Sequence, residues 1–116
     1  MPLLRIATSA HPSEPVRSRL LVELSGFIAA RLGKPEAYVM VSLTPGVAMT
    51  FAGTPEPACF AELKSIGRFT PELTQKLSSE LCERLGSALD VPSARIYIEF
   101  SDSQGYLWGH DGQTFA

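Results

Sequence analysis

Pro2 has the most distinctive chemical potential in this chain. It directly follows Met1, and an initiator methionine before so small a residue is usually removed. Removal turns the Pro2 nitrogen from an amide into a free secondary amine. A free α-amino group titrates near ~8, so most copies are protonated at neutral pH. Burial in an apolar pocket, or a nearby cation, disfavours the charged form and lowers that value. An amine poised near ~6–7 can take a proton from a carbon beside a carbonyl and return it elsewhere. A second-position proline is commonplace by itself, so the rest of the chain must supply a pocket.

The other reactive side chains suggest little. Cys59 and Cys82 have neither CxxC spacing nor partner histidines, which argues against a zinc site or a redox dithiol. Cys59 reads as a small buried hydrophobe. Two reduced cysteines suit the cytoplasm. The N-terminus lacks the basic start and long apolar run of a signal peptide, and no apolar run approaches a membrane span. A net charge of -2 leaves no basic footprint for nucleic acid. With 116 residues and 45% hydrophobic composition, the chain is expected to be one soluble domain, 1–116, needing no disulfide or metal to stabilise it.

The elements that must position Pro2 emerge from an internal repeat at an offset of 57 residues. Ser13 recurs as Thr70. Val16, Leu20, Leu24 and Ile28 recur as Leu73, Leu77, Leu81 and Leu85. Leu32 and Pro35 recur as Leu89 and Pro92, and Val39, Val41 and Leu43 as Ile96, Ile98 and Phe100. The repeats run roughly over 2–57 and 58–116. Each reads as a capped amphipathic helix followed by an alternating strand. Gly33 and Pro35 stop the first helix, and Asp90-Val91-Pro92 stops the second. A strand is expected before each helix, at Leu3 to Thr8 and around Cys59 to Ile66.

Two βαβ units make an α+β domain with pseudo-two-fold symmetry. Its four-stranded mixed sheet, with further short strands, carries both helices on one face. The aliphatic positions Val39, Val41, Ile96 and Ile98 should lie under the helices. Tyr38, Met40 and Tyr97 fall on the uncovered face, where a patch this apolar points to another subunit.

The chain resembles the macrophage migration inhibitory factor and D-dopachrome tautomerase family. The resemblance runs from Pro2 to Ala116. It is carried by Pro2, Gly33-Lys34-Pro35 with Tyr38, Pro45-Gly46, Gly53-Thr54 with Glu56-Pro57, Ser65-Ile66-Gly67, Arg95-Ile96-Tyr97-Ile98 and Thr114-Phe115-Ala116. It implies a homotrimeric barrel of sheets with the helices outside and pockets between subunits. It implies cofactor-independent keto–enol tautomerisation of phenylpyruvate-type aromatic 2-oxo acids or dopachrome-like compounds, with Pro2 as general acid/base. The alternative it carries is a cytokine-like or host-interaction ligand.

By the same resemblance, Lys34 binds the substrate carboxylate or carbonyl oxygen. Ile66, Trp108 and Phe115 line the pocket, and Tyr97 reaches a neighbouring subunit's Pro2. Read from the residues alone, Lys34 is a cation favoured at a helix C-terminus. Three features depart from the family pattern. The stretch Glu56-Pro57-Ala58-Cys59-Phe60-Ala61 lacks the CxxC of the animal proteins. Glu99 stands where they carry a neutral asparagine, so it should face the intersubunit pocket and either repel an acidic substrate or pair with Lys34. The segment 103–112 is one residue longer, placing Trp108 at a pocket wall and His110 at its rim.

Overall fold

In the computed structural model, which describes residues 1–116, the repeat passes into the elements without a shift. Helix α1 spans Glu14–Leu32 and α2 spans Pro71–Leu89. Strands β1 (Leu3–Thr8) and β3 (Cys59–Ile66) precede them, and β2 (Met40–Thr44) and β4 (Ile96–Ser103) follow. A one-turn 3-10 segment leads into each following strand, at Glu36–Tyr38 and Ser93–Arg95.

The sheet order is β2-β1-β3-β4. The outer pairs are parallel and the central pair is antiparallel. Register obeys the same symmetry. Leu4 pairs with Val41, and their repeat counterparts Ala61 and Ile98 pair with each other. Leu3 pairs with Lys64, and its image Phe60 pairs with Ala7. The expected α+β fold of two βαβ units is therefore present.

The caps act as their residue types dictate. Ser13 Oγ accepts the Val16 N–H at 3.4 Å, and Thr70 Oγ1 accepts that of Leu73 at 3.2 Å. Each satisfies a first-turn donor that has no helical partner. At the other ends, Gly33 and Asp90 both take the left-handed conformation, with φ of 62° and 57°. Only glycine adopts it without steric cost.

The helical stripes, Leu20, Leu24, Phe27 and Ile28 on α1 and Leu77, Leu81, Leu85 and Leu89 on α2, are all buried. They cover Leu4, Ile6, Ala61 and Leu63 of the inner strands. Each fully buried leucine contributes about 1.5–3 kcal/mol. Arg31 and Arg84 stand over the Phe27 ring at 5.1 and 4.2 Å while pairing with Glu80 and Glu23. The two helices are thus joined across their outer seam.

The uncovered face is less apolar than expected. Arg5 and Glu62 pair across β1 and β3 at 2.8 Å, with Lys64 at 3.6 Å from the same carboxylate. Apolar exposure on this face is greatest at Met40 and Tyr97, which are 65% and 64% exposed, and Phe60 of β3 adds to it beside Tyr97. Tyr38 is not part of the strand. The Pro35 carbonyl accepts the Tyr38 N–H at 3.0 Å, and the Glu36 carbonyl accepts that of Val39. These bonds close the 3-10 turn, so β2 starts only at Met40.

Candidate active site at the N-terminus

Pro2 sits at the mouth of the β1–β2 pair, where the Met40 N–H donates to its carbonyl at 3.0 Å. Its ring is fully buried. Beside it lies a cavity of about 280 Å³, whose lining includes Pro2, Tyr38, Met40, Trp108, His110 and Phe115. Its character is aromatic and apolar, as a small-molecule site should be.

The far wall is supplied by the C-terminal arm. A 3-10 turn, Gly105–Leu107, leads to the hairpin strands β5 (Gly109–His110) and β6 (Gln113–Thr114). The hairpin reverses at Asp111-Gly112, with φ of 51° and 81°, a sequence and geometry suited to a two-residue turn. The Phe115 N–H is shared between the carbonyls of Gly105 and Trp108 at 3.1 and 3.2 Å. A side chain at position 105 would place its Cβ 2.6 Å from the Phe115 carbonyl oxygen, so this docking requires glycine. The rings of Tyr38, His110 and Phe115 then meet within 6.0 Å, edge-to-face at Tyr38 and near-parallel between His110 and Phe115. Trp108 is locked by its indole N–H, which donates to Ser103 Oγ at 2.7 Å.

Lys34 and Ile66 line a second cavity of about 170 Å³, together with Ser65, Arg68, Phe69 and Asp102. The Lys34 charge reaches the N-terminus. The Met1 α-amine is held below its ordinary value first by burial and then by the Lys34 ammonium. With Met1 in place the Pro2 nitrogen is an amide and has no basic lone pair. The environment that depresses an amine here is nevertheless built into the fold.

The other expected site residues lie elsewhere in the chain. Tyr97 is registered against Phe60, and Phe60 against Ala7, at the opposite end of β1 from Pro2. Its ring packs on Phe51, with centroids 4.8 Å apart. Glu99 is exposed, stands opposite Glu62 in register and forms no ion pair with Lys34. A single subunit therefore unites Pro2, Trp108 and Phe115, holds Lys34 and Ile66 at a second cavity, and leaves Tyr97 and Glu99 remote. Cys59 is buried, and its thiol is pushed up to about 12 by that burial and by Cys82, which makes it a poor nucleophile.

Sequence reasoning did not assign Ser103, Arg68 or Met40 to the site. Met40 was legible as an unsheltered apolar residue, and Arg68 adjoins the Ser65-Ile66-Gly67 landmark. Ser103 left no signal, because its partner approaches only after the chain turns at 105–107.

The doubled βαβ unit is the fold of the tautomerase superfamily, and the sequence comparison agrees. The sequence model described as macrophage migration inhibitory factor (MIF) matches residues 1–116, and the chain belongs to that family. It is 39% identical over 115 residues to the macrophage migration inhibitory factor homolog of Trichuris trichiura, covering 99% of this chain and all of that protein. It is 36% identical to the homolog of Brugia malayi over 116 residues, the full length of both. Among solved structures, the homologue from Prochlorococcus marinus superposes with a TM-score of 0.93 at 46% identity, over 98% of this chain and 99% of that one. Family membership supports a tautomerase-type activity in general.

Proposed function

We propose that the protein is a cofactor-independent keto–enol tautomerase for aromatic 2-oxo acids of the phenylpyruvate type, working through the Pro2 nitrogen after Met1 is removed. The observation that carries this reading is the placement of a buried Pro2 against an aromatic cavity, in a setting that lowers the pKa of an adjacent amine.

The aromatic ring of the substrate lies among Tyr38, Trp108 and Phe115, and its carboxylate turns toward Lys34. Neutral Pro2 takes a proton from the carbon beside the carbonyl. The C–H electrons form the new C=C bond and the carbonyl oxygen takes the negative charge. The Pro2 ammonium then returns its proton to that oxygen, giving the enol and restoring the amine. The reverse sequence gives the ketone. Apolar walls favour neutral Pro2, and the Lys34 ammonium opposes its protonation.

The site is completed by assembly. The exposed Met40 and Tyr97 and the Arg5–Glu62 pair lie on the face left bare by the helices. Three subunits packing these faces into a barrel bring Tyr97 and Glu99 to a neighbour's Pro2. We place the assembly in the cytoplasm, consistent with two unpaired cysteines.

Phenylpyruvate turnover tests this in protein whose N-terminal residue is shown by mass to be Pro2. Pro2→Gly should lower kcat/KM by about 10²-fold or more, the scale of a positioned acid/base group. Equal turnover by both proteins refutes the proline mechanism. A processed assembly with no turnover would favour the ligand reading. A monomeric mass at micromolar concentration contradicts the shared pocket.

A further inference from the structure

The cavity that holds Lys34 contains a second cation. Arg68 lines the same 170 Å³ space as Lys34, Ser65 and Ile66. Neither Lys34 nor Arg68 belongs to an ion pair, and Arg68 is exposed, so both cations are available to a ligand in this space.

The segment that carries Arg68 is anchored on both sides of it. The Gly67 N–H donates to the Ser103 carbonyl at 3.0 Å, and the Phe69 N–H donates to Asp102 Oδ2 at 2.7 Å. Phe69 also packs edge-to-face on Phe100 at 5.7 Å. Both amides are tied to the end of β4, so the base of Arg68 is held in place. Asp102 lines the cavity too, but that backbone amide already engages its carboxylate. Two cations against one carboxylate leave the space net positive. Lys34 offers a compact point charge, and a guanidinium adds a planar fork matched to the two oxygens of a carboxylate.

We propose that Arg68 is a substrate-binding residue which, with Lys34, holds the carboxylate of the 2-oxo acid and selects acids over their neutral esters. The proposal rests on the reading of the Pro2 cavity as the reaction site. The aromatic end of the substrate occupies the Trp108–Phe115 side, and the acid end occupies the Lys34–Arg68 side.

The test compares phenylpyruvate with its methyl ester in wild type, Arg68→Gln, Arg68→Lys and the surface control Arg19→Gln. Arg68→Gln should raise KM for the acid about ten-fold, the effect of one charge-assisted hydrogen bond. Its kcat should stay within about two-fold, because the group binds ground and transition states alike. KM for the ester should not move, Arg68→Lys should restore part of the loss, and Arg19→Gln should leave both substrates unaffected. Equal changes for acid and ester, or an acid effect no larger than that of Arg19→Gln, overturn the proposal. Calorimetric binding of the unreactive acid phenylacetate separates it from the proline mechanism. Its affinity should fall about ten-fold in Arg68→Gln, even if wild type shows no turnover. That combination would keep the anion site and reject the Pro2 chemistry. An unchanged phenylacetate affinity rejects the anion site.

Discussion

The indole N–H of Trp108 donates to Ser103 Oγ at 2.7 Å, linking a wall of the N-terminal cavity to the last residue of β4. The backbone carbonyl of the same serine accepts the Gly67 N–H. One residue thus sets both the indole on the Pro2 side and the loop on the Lys34 side. Ser103→Ala should leave the indole without its partner and free to rotate. The expected result is a red shift in the emission of the single tryptophan and a rise in KM for phenylpyruvate of about three- to ten-fold, the range of one hydrogen bond. An unchanged spectrum together with an unchanged KM would show that Ser103 does not position the wall.

Lys34 should leave a signature in the pH profile. The Met1 α-amine is held below its ordinary value by burial first and by Lys34 second, and a Pro2 amine freed at the same place meets the same two influences. The basic form of the Pro2 amine is the active one, so kcat/KM should fall as pH drops through the pKa of that amine. Lys34→Ala removes the cation that opposes protonation. The acidic limb should therefore move to higher pH, by less than the whole distance back to ~8 because burial persists. Movement to lower pH would contradict this electrostatic role, whatever happens to the height of the profile.

The helix ends offer a matched pair of stability tests. Gly33 and Asp90 occupy equivalent left-handed positions in the two repeats. Gly33→Ala forces a Cβ into that conformation and should cost about 1 kcal/mol. Asp90→Gly relieves the same strain and should be neutral or stabilising by about 0.5–1 kcal/mol, the gain in helix-end geometry being offset by a more flexible unfolded chain. Denaturant midpoints of the two variants should therefore move apart, and shifts in the same direction would refute the comparison.

In the core, Leu81 is completely buried between α2 and the sheet. Leu81→Ala should lower unfolding free energy by about 3 kcal/mol, from lost transfer energy plus the cavity left behind. A loss below about 1 kcal/mol would mean that the surrounding leucines collapse into the space.

The repeat was legible because its signals are local. Ser13 and Thr70 announce helix starts, Gly33 and Asp90-Val91-Pro92 announce stops, and the leucine stripes report burial at helical period. The same offset reappears in helix bounds and strand register. Alternation at 38–43 suits a strand, but the hydrogen bonds after Pro35 curl Tyr38 into a turn before the strand begins. The family resemblance singled out Pro2, Lys34, Trp108 and Phe115, and periodicity could not have done so. The Ser103–Trp108 bond and the Asp102 tether of Phe69 were not legible at all. Each joins residues on different segments, and their meeting depends on tertiary packing rather than on pattern.

The central claim is that the Pro2 nitrogen acts only as a free amine. It is tested most directly by separating one preparation into forms with and without Met1, verifying each by mass, and measuring phenylpyruvate kcat/KM for both. The processed form should turn over, and the form retaining Met1 should be slower by about 10²-fold or more. Equal rates for the two forms would contradict the account.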